Sequence, residues 1–482
     1  MKKVYWPAGA VAVALAASNF PAAAAAGVPA VGAADAATSG SWSAPFTPPG
    51  ANPRAIGVHS VLLHTGKILV FGALKPTQGY VYDPVTGNAT ETDPPADVEC
   101  GSMTPLQDGR ILVVGGHGKG AHGINNIMLF DPATLTWTPQ PSSPMGRYYP
   151  TSTLLPNGTV VISGGFDMNG AKNPDVELWT PPTTGNVGTL KKVGTNHPSG
   201  LYPHQWVLPS GKILEVTSSS TSILDPSTWT WTSYPRPKLK HGSGEGAVLL
   251  PGPASGSTKV MLIGGIDQGA ATAAVETFDA ANPTAGWSPL AALPQGRGHM
   301  SPVLMPDGQV LGVGGNSSGN FAGAIYTSLM YKPASNSWAT LATQAERRGY
   351  HSSAVLLPDG RVFSAGDTGA GGGGNKDELL SPPYLFQGTR PTITSAPSQV
   401  SHGASFTITS PDTASKAVLI RSGAATHTVN FDERIVTLST TATTTGLTAV
   451  APSSTVGIAG WYMLFLVNSA GVPSTAKWIH IG

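Results

Sequence analysis

Charged residues and cysteine are scarce in this sequence. Only 11% of its 482 residues are charged and the formal net charge is +1, so neither nucleic acid nor an anionic membrane surface is indicated as a partner. Cys100 is the single cysteine, and it therefore has no intramolecular disulfide partner. No apolar stripe of helical period persists long enough to predict a major helix. The architecture must be sought in strands and turns.

The chain also lacks a convincing transmembrane segment near its start. The N-terminus combines the basic residues MKK, the short apolar run AGAVAVALAA and the small-residue segment FPAAAAAG. This order is typical of an export signal, whereas the apolar run is too short to cross a bilayer as a helix. We predict a signal peptide at residues 1–26, an Ala-rich linker at residues 27–39, and a secreted or periplasmic location.

Turn-forming residues, by contrast, are abundant. The 60 glycines and 43 prolines separate segments rich in valine, threonine and serine, which is typical of an all-β protein. A hairpin with a glycine turn recurs about every 43 to 53 residues, the range of propeller blades that includes kelch repeats. Its second strands are GKILVFG (66–72), GRILVVGG (109–116), GTVVISGG (158–165), GKILEVTS (211–218), KVMLIGG (259–265), GQVLGVGG (308–315) and GRVFSAG (360–366).

These units predict an all-β fold of two parts. Four strands per unit and seven units indicate a seven-bladed kelch-type β-propeller at residues 40–390. The seventh unit lacks the tryptophan-bearing fourth strand, and GSWSAP (40–45) stands alone before the first unit. We therefore expect this N-terminal strand to complete the seventh blade. Residues 391–482 break the period and carry short apolar strands, which predicts a C-terminal immunoglobulin-like β-sandwich.

One position per blade lies nine residues before the hairpin glycine, at the start of the innermost strand. Because innermost strands surround a propeller axis, these positions should form a ring at one mouth of the channel. We call them the ring positions: Gly57, Cys100, Tyr149, Tyr202, a position near Gly244, His299 and His351. Tyr350 adjoins the last of them. The pattern alone leaves two interpretations open, a metal and redox site or a hydrogen-bonded channel lining, and lining is the favoured role for His299 and Tyr202.

Five segments carry a more specific signal. They are ECGSM (99–103), GRYYPTS (146–152), RGYHSSAVLLPDGRVF (348–363), ATHTVNFDER (425–434) and GWYMLFLVNSAGVPS (460–474). On these segments the chain resembles the copper radical oxidases, the family of galactose oxidase and glyoxal oxidase, over roughly residues 40–482. The segments YYP (148–150) and LYPHQWVLPSG (201–211) are more similar to the glyoxal oxidase branch.

The resemblance implies a cofactor and a set of catalytic residues. One copper ion would be held by Tyr149, Tyr350, His351 and His427, and a thioether between Cys100 and Tyr149 would carry the radical. Tyr350 would act as general base and the Tyr149 radical would take hydrogen from carbon. The implied reaction is a two-electron oxidation of small aldehydes, as hydrates, or of primary alcohols, with O2 reduced to hydrogen peroxide.

Departures from galactose oxidase concern the substrate. Pro203 stands where that enzyme has a sugar-binding arginine, and Asp167 stands where its tryptophan covers the thioether. Phe166 and Trp206 are candidates to cover the radical instead. We expect the mouth of the channel to be lined by the loops at residues 117–126, 166–173 and 367–376. The substrate-rim candidates are Phe166, Asp167, Lys172, Tyr202, Trp206 and His299.

Other functions remain as alternatives. The chain is compatible with a galactose oxidase-like sugar alcohol oxidase, or with a non-catalytic kelch propeller that binds carbohydrate or matrix. A sialidase-like propeller hydrolase is disfavoured because no S-x-D-x-G-x-x-W box is present. The protein is expected to act as a monomer on a small substrate and O2.

Overall fold

The computed structural model describes residues 33–72, 77–195, 200–319, 321–369, 374–431 and 433–482. The predicted signal peptide lies outside these ranges. Part of the predicted linker forms a short helix, α1 (Ala33–Ser39), which contacts the outer strand of blade six and a 3-10 helix at Pro383–Phe386. None of the described helices has the length and apolar character that a membrane crossing requires.

The first seven sheets follow the predicted repeat. The strand β1 (Ser41–Trp42) precedes them. Blade one contains β2 (His59–Leu62), β3 (Ile68–Gly72), β4 (Gln78–Tyr82) and β5 (Ala89–Glu91). Blade two contains β6 (Ser102–Pro105), β7 (Ile111–Val114), β8 (Ile127–Asp131) and β9 (Thr136–Pro139). Blade three contains β10 (Thr151–Leu154), β11 (Val160–Ser163), β12 (Val176–Thr180) and β13 (Thr189–Gly194).

The remaining blades keep the same antiparallel order. Blade four contains β14 (His204–Val207), β15 (Ile213–Val216), β16 (Thr221–Asp225) and β17 (Thr230–Tyr234). Blade five contains β18 (Gly246–Leu249), β19 (Lys259–Ile263), β22 (Val275–Asp279) and β23 (Ser288–Pro289), with a small hairpin of β20 (Ile266–Asp267) and β21 (Ala270–Ala271) and a 3-10 helix at Pro283–Ala285. Blade six contains β24 (Ser301–Leu304), β25 (Val310–Val313), β26 (Thr327–Lys332) and β27 (Ser337–Thr343).

Blade seven joins the two ends of the propeller. It contains β28 (Ser352–Leu356), β29 (Val362–Gly366) and β30 (Glu378–Ser381), and β1 pairs with β30 through Ser41 opposite Ser381. The N-terminal strand thus completes this blade, as predicted. Blades seven and one also meet at the axis, where the hydroxyl oxygens of Ser60 and Ser353 lie 2.7 Å apart. Closing the ring in this way covers strand edges that would otherwise be exposed.

Glycine turns and apolar strands account for the repeat. Six of the hairpin glycines have left-handed backbone with φ between 80° and 95°, which other residues adopt only with strain: Gly66, Gly109, Gly158, Gly211, Gly308 and Gly360. The inner strands of all blades are buried almost throughout, and their apolar residues pack between neighbouring blades. The turns and the packing together fix where each inner strand begins, and hence where the ring positions lie.

The C-terminal part is a two-sheet sandwich, as predicted. Its strands are β31 (Gln399–Val400), β32 (Ser405–Thr409), β33 (Lys416–Arg421), β34 (Ala424–Thr426), β35 (Val429–Asn430), β36 (Ile435–Thr437), β37 (Ser439–Thr443), β38 (Gly446–Val450), β39 (Gly460–Val467) and β40 (Lys477–Ile481). One sheet has the order β31-β40-β39-β33-β36 and the other the order β32-β38-β37, with an apolar core between them.

One hairpin of the C-terminal part leaves the sandwich and enters the propeller. β34 and β35 extend the sheet of blade one, whose full order is β35-β34-β2-β3-β4-β5. Thr426 pairs with His59, and Ala424 pairs with Val61. The turn of this hairpin contains His427, so strand pairing carries a residue of the C-terminal part to the propeller axis.

Candidate metal centre

The ring positions share an uncommon backbone conformation. Six of the seven have φ between 42° and 67°: Cys100, Tyr149, Tyr202, Gly244, His299 and His351. A non-glycine residue in the left-handed region is uncommon and often marks a functional site. Backbone bonds also join neighbouring blades here, since the amide of Tyr149 donates to the Cys100 carbonyl at 3.0 Å and that of Tyr202 donates to the Tyr149 carbonyl at 2.8 Å. The repeat therefore presents these side chains in a common way.

Three of the predicted residues form a compact cluster of potential ligand atoms. The Cys100 sulfur and one ring nitrogen each of His351 and His427 all lie within 4.8 Å of one another. The distance from Cys100 Sγ to His427 Nε2 is 3.9 Å. The rings of Tyr149 and Tyr350 flank His427, with centroid separations of 4.8 Å and 5.4 Å. The hydroxyl groups of these two tyrosines are in direct contact.

Both histidines are oriented in the same manner. The Nδ1 atom of His351 lies 2.5 Å from the hydroxyl of Thr368, and Nδ1 of His427 lies 2.6 Å from the hydroxyl of Thr426. Each Nε2 atom is thereby left for another partner, and Nε2 of His351 is buried with no hydrogen-bond partner among the described residues. Metal-binding imidazoles are commonly held through their second nitrogen in this way. The arrangement fits a metal ion bound through Nε2.

Burial keeps the ligand candidates neutral. It lowers the pKa of His351 to about 3 and lowers the pKa of His427 well below its ordinary value, so both imidazoles have lone pairs available for a metal. Burial also raises the pKa of Tyr149 and Tyr350 well above the ordinary phenol value. A bound cation would reverse this tendency and favour the phenolates. Two imidazoles and two phenolates suit tetragonal Cu(II).

Aromatic rings pack against both tyrosines. Tyr148 and Tyr202 are each stacked on Tyr149, with centroids 4.2 Å and 4.4 Å away. Phe321 is stacked on Tyr350 at 4.2 Å. Stacking restricts ring motion and excludes water from the ring faces. Tyr149, the predicted radical carrier, is thus covered by tyrosine.

Cys100 lies beside Tyr149 at the floor of the cluster. It is 1% exposed, and burial raises the pKa of its thiol well above the ordinary value, while hydrogen bonding with the Tyr149 and Tyr148 hydroxyls acts in the opposite direction. Its backbone amide donates to Nε2 of His59 at 3.1 Å. Cys100 is therefore fixed at its backbone and is placed next to the ring with which the resemblance pairs it.

His299 and Tyr202 hold positions in the lining. The hydroxyl of Tyr202 donates to the Gly101 carbonyl at 2.8 Å, and Nδ1 of His299 lies 3.0 Å from Oδ1 of Asn316. Gly244 makes room for the His299 ring, because a β-carbon at residue 244 would lie 2.4 Å from Nε2 of His299. The ring of His299 also contacts Tyr350 edge-on at 5.2 Å. Both residues border the cluster while being engaged in hydrogen bonds of their own.

The other rim candidates have different surroundings. The backbone of Phe166 pairs with Tyr148 and with Lys172, which is exposed. Asp167 is buried, and its Oδ1 accepts backbone hydrogen bonds from Asn169 and Ala171, so it closes its own loop. Trp206, one of the two candidates to cover the radical, lies outside the cluster. It points into the apolar core with Leu208, Leu214 and Ala247, away from Tyr149, because its strand alternates between the two faces of blade four.

The sequence reasoning missed the residues that support the cluster. Tyr148 is the first residue of the YYP motif, but only its neighbour Tyr149 was assigned a role from the sequence, that of copper ligand and radical carrier. Thr368 and Thr426 carry no motif that distinguishes them from other threonines of a threonine-rich chain. Phe321 comes from a loop of blade six, and only the folded chain brings it to Tyr350. His59 lies two residues after a ring position, which was the one available signal.

Comparison with known proteins identifies the family. The sequence profile of the glyoxal oxidase N-terminus matches residues 77–372, and that of the galactose oxidase-like early set domain matches residues 390–481. The chain belongs to the glyoxal oxidase family. This membership confirms the resemblance to the copper radical oxidases that the five segments indicated.

Curated relatives and a solved structure agree with the family. A galactose oxidase of Gibberella zeae is 29% identical over 83% of this chain. The present chain spans 63% of the length of that galactose oxidase. An aldehyde oxidase GLOX of Vitis pseudoreticulata is 28% identical over 80% of this chain and 82% of its own length. A fungal alcohol oxidase of the AA5 family, solved in complex with copper, superposes with a TM-score of 0.80 at 25% identity, covering 92% of this chain and all of the other.

Proposed function

We propose that this protein is a copper radical oxidase that oxidises small aldehydes, as hydrates, or primary alcohols with O2. The observation that carries the proposal is the convergence of His351, His427, Tyr149 and Tyr350 around one point beside the single cysteine. Together with Cys100, this set comes from blades two, three and seven and from the C-terminal hairpin. A non-catalytic binding propeller would have no need to bring these ligand types together from four separate elements.

Four residues are proposed to hold copper. His351 and His427 would bind through Nε2, and Tyr149 and Tyr350 through their phenolate oxygens. When bound, copper supplies one-electron redox chemistry and favours the ionised form of the ligating phenols. Cys100 would be joined to Tyr149 by a thioether, which makes the ring easier to oxidise to a radical. Tyr148 and Tyr202 would shield that ring from solvent and from unwanted reductants.

The two tyrosines divide the reaction between them. The phenolate of Tyr350, whose hydroxyl contacts that of Tyr149, accepts the proton of the substrate hydroxyl as general base. The Tyr149 radical takes a hydrogen atom from the substrate carbon. Overall, an alcohol loses two hydrogen atoms to become an aldehyde, or an aldehyde hydrate loses two to become a carboxylic acid, and O2 gains both to become hydrogen peroxide.

The substrate assignment rests on the mouth of the channel. Pro203 is buried, its carbonyl accepts a hydrogen bond from the Thr151 hydroxyl at 2.6 Å, and it offers no charge to a sugar. Loss of a charge-assisted contact costs about 1.5–3 kcal/mol, or roughly ten- to a hundred-fold in binding. A small aldehyde hydrate depends less on such a contact. A galactose oxidase-like activity on sugar alcohols is the second candidate, because the galactose oxidase of Gibberella zeae is as similar in sequence as the plant aldehyde oxidase.

The organisation of the chain forms part of the proposal. Residues 1–26 would direct export and be removed, residues 40–390 would form the propeller, and residues 391–482 would supply the hairpin that bears His427. Export is compatible with a chain whose lone cysteine is used in a thioether. The protein is proposed to act as a secreted or periplasmic monomer.

The test is an assay of the copper-loaded protein on a panel of aldehydes and alcohols. Hydrogen peroxide release should be higher on glyoxal-like aldehydes than on galactose at equal concentration. Tyr149→Phe and Cys100→Ser should remove most of the activity. Tyr331→Phe is a matched control, since Tyr331 is a buried tyrosine of blade six whose hydroxyl bonds to Asn336 away from the site. A clear preference for galactose would favour the second candidate, and no peroxide on any substrate would refute both.

A further inference from the structure

His59 is a buried histidine beside the proposed cofactor that the reaction itself does not use. It lies on β2, two residues after the ring position Gly57, and is fully buried. Its ring is stacked on Phe71 with centroids 4.5 Å apart and planes 4° from parallel. The ring of His427, a ligand candidate, has its centroid 6.0 Å away. His59 is therefore a fixed residue of blade one beside the proposed metal centre.

The hydrogen bond from Cys100 to His59 breaks the pattern of the ring. At Tyr149, Tyr202 and His299 the backbone amide donates to the carbonyl of the preceding ring residue. The amide of Cys100 donates instead to Nε2 of His59 at 3.1 Å, and the carbonyl of Gly57 accepts a hydrogen bond from the Ser353 hydroxyl. At the cysteine alone, among these four positions, a side chain replaces the carbonyl.

The hydrogen bond at Nε2 fixes the tautomer of His59 and leaves its other ring nitrogen without a partner in the described part of the chain. Because Nε2 accepts the hydrogen bond from Cys100, a neutral His59 carries its proton on Nδ1. That Nδ1 atom is buried with no hydrogen-bond partner among the described residues. An unsatisfied buried donor is destabilising, and an apolar ring would pack on Phe71 without that penalty. The presence of a histidine at this position is explained if its acceptor nitrogen is needed.

Cys100 is the residue for which such a constraint matters most. Its φ of 64° lies in the left-handed region, which is strained for a side chain of this type. The Tyr149 amide holds its carbonyl and His59 holds its amide, so both ends of the residue are fixed. A thiol that must form a bond with one carbon of one ring reacts faster when its backbone is held in the productive conformation and cannot relax out of the left-handed region.

We propose that His59 is a positioning residue for the thioether between Cys100 and Tyr149. Its Nε2 atom fixes the left-handed backbone of Cys100 and so directs the sulfur to the Tyr149 ring before the bond forms. In that step the S–H bond of Cys100 and one ring C–H bond of Tyr149 break and one C–S bond forms. Two protons and two electrons pass to O2, which becomes hydrogen peroxide. This inference rests on the proposed function, because it assumes that the thioether forms.

The experiment compares three variants of the copper-free protein. His59→Phe keeps a ring against Phe71 but removes the acceptor, and His59→Gln places an amide oxygen near the position of Nε2. His204→Phe is the matched control, since His204 is also buried and stands two residues after a ring position, on blade four, where it stacks on Trp206. Copper is added in air, and the loss of about 2 Da and of the free thiol is followed in time.

Loss of one hydrogen bond should slow the formation of the thioether about 2- to 12-fold in His59→Phe. His59→Gln should recover most of the rate, and His204→Phe should match the wild type. Hydrogen exchange at the Cys100 amide gives an independent readout and should be faster only in His59→Phe. Equal thioether rates, or equal exchange at Cys100, in His59→Phe and wild type would overturn the positioning role. If the wild type itself forms no thioether, the proposed cofactor fails and this inference fails with it.

Discussion

The two histidines of the proposed metal centre reach the same geometry by different routes. His351 stands directly before β28, and Thr368, which holds its Nδ1 atom, follows β29 of the same blade. His427 lies in the turn of a hairpin that originates in the C-terminal sandwich and pairs with blade one. Its Nδ1 atom is held by Thr426 of the same hairpin. One proposed ligand is therefore part of the repeat, and the other is added to the repeat by the C-terminal part.

This difference shows what a propeller can and cannot supply by itself. Seven similar blades repeat one backbone position around the axis, and substitutions at that position give Cys100, Tyr149 and His351 with little change elsewhere. His427 lies outside the repeat and occupies none of these strand starts. The hairpin provides it, and the hydroxyl of Thr428 fastens the hairpin tip to the Glu245 carbonyl of blade five at 2.7 Å.

Removing either histidine is expected to have the largest effect. His351→Ala and His427→Ala should each weaken Cu(II) binding by more than the roughly 10- to 100-fold loss typical of outer-shell substitutions, because each deletes a ligand. His122→Ala, in an exposed loop of blade two, is the control and should bind copper normally. Equilibrium titration with Cu(II) measures the affinities. Wild-type affinity in His427→Ala would show that the hairpin does not contribute a ligand, and the comparison between His351 and His427 would then have no basis.

The threonines should come next in size. Thr368→Val and Thr426→Val each remove the hydroxyl that orients a histidine, and copper affinity should fall by about 10- to 100-fold in each. Similar losses would mean that the two routes give equally well-oriented ligands. Thr441→Val, on an exposed strand of the sandwich, controls for the general effect of valine. A loss no greater than that of Thr441→Val would show that strand packing alone orients the rings.

The sequence was sufficient to predict most of the fold and several of the residues that the fold brings together at the candidate site. Hairpin glycines at a regular spacing predict the blades, and counting back from them reaches Cys100, Tyr149 and His351, because a repeated backbone imposes a repeated position. His427 lies outside the repeat, so only the family resemblance indicated it. The pairing of its hairpin with β2 depends on long-range contacts that leave no periodic signal in the chain.

The supporting residues show where prediction from sequence ended. Trp206 was a reasonable candidate to cover the radical, since it lies in a segment near the ring, but strand alternation turns it into the core of blades four and five. Tyr148 and Tyr202 stack on Tyr149 instead. Which face of a strand a side chain takes depends on the register at the strand start, and the irregular backbone of the ring positions makes that register difficult to infer.

A moderate effect is expected where the hairpin is fastened to the propeller. Thr428→Val removes the bond to the Glu245 carbonyl and should weaken copper binding by about 2- to 12-fold, the equivalent of one hydrogen bond. Ser352→Ala is the counterpart for His351, because the Ser352 hydroxyl bonds to Gly349 within its own blade at 2.7 Å. It should have the smaller effect on copper, since the strands of blade seven hold His351 in any case. Titration of both variants with Cu(II) measures the two losses of affinity. A larger loss in Ser352→Ala would show that His351 depends more on its local hydrogen bond than His427 does.

The smallest effect on the site is expected from Glu433, near the base of the hairpin. It is fully buried, Oε2 accepts a hydrogen bond from the Leu304 amide at 3.1 Å, and burial raises its pKa from 4.5 to about 8. Asp377 of blade seven is a comparable buried carboxyl group in the propeller, and burial raises its pKa from 3.8 to about 7. In both cases the folded state favours the neutral acid, whereas the unfolded chain ionises near the ordinary pKa.

The sign of the pH dependence follows from this difference. As the pH rises from about 4.5 to about 8, the unfolded chain releases the proton of Glu433 more readily than the folded protein does, so the wild type loses stability by up to about 1.4 kcal/mol per pH unit. Glu433→Gln keeps an acceptor for the Leu304 amide and has no proton to release, so its stability relative to wild type should grow until about pH 8. Asp377→Asn should gain in the same way, but its advantage should level off near pH 7. Unfolding by urea at pH 5, 6 and 7 tests both groups, because the advantage of each variant over the wild type should increase across this range. An advantage that does not change with pH would show that the carboxyl group concerned is ionised in the folded protein. Copper affinity should be unchanged in Glu433→Gln.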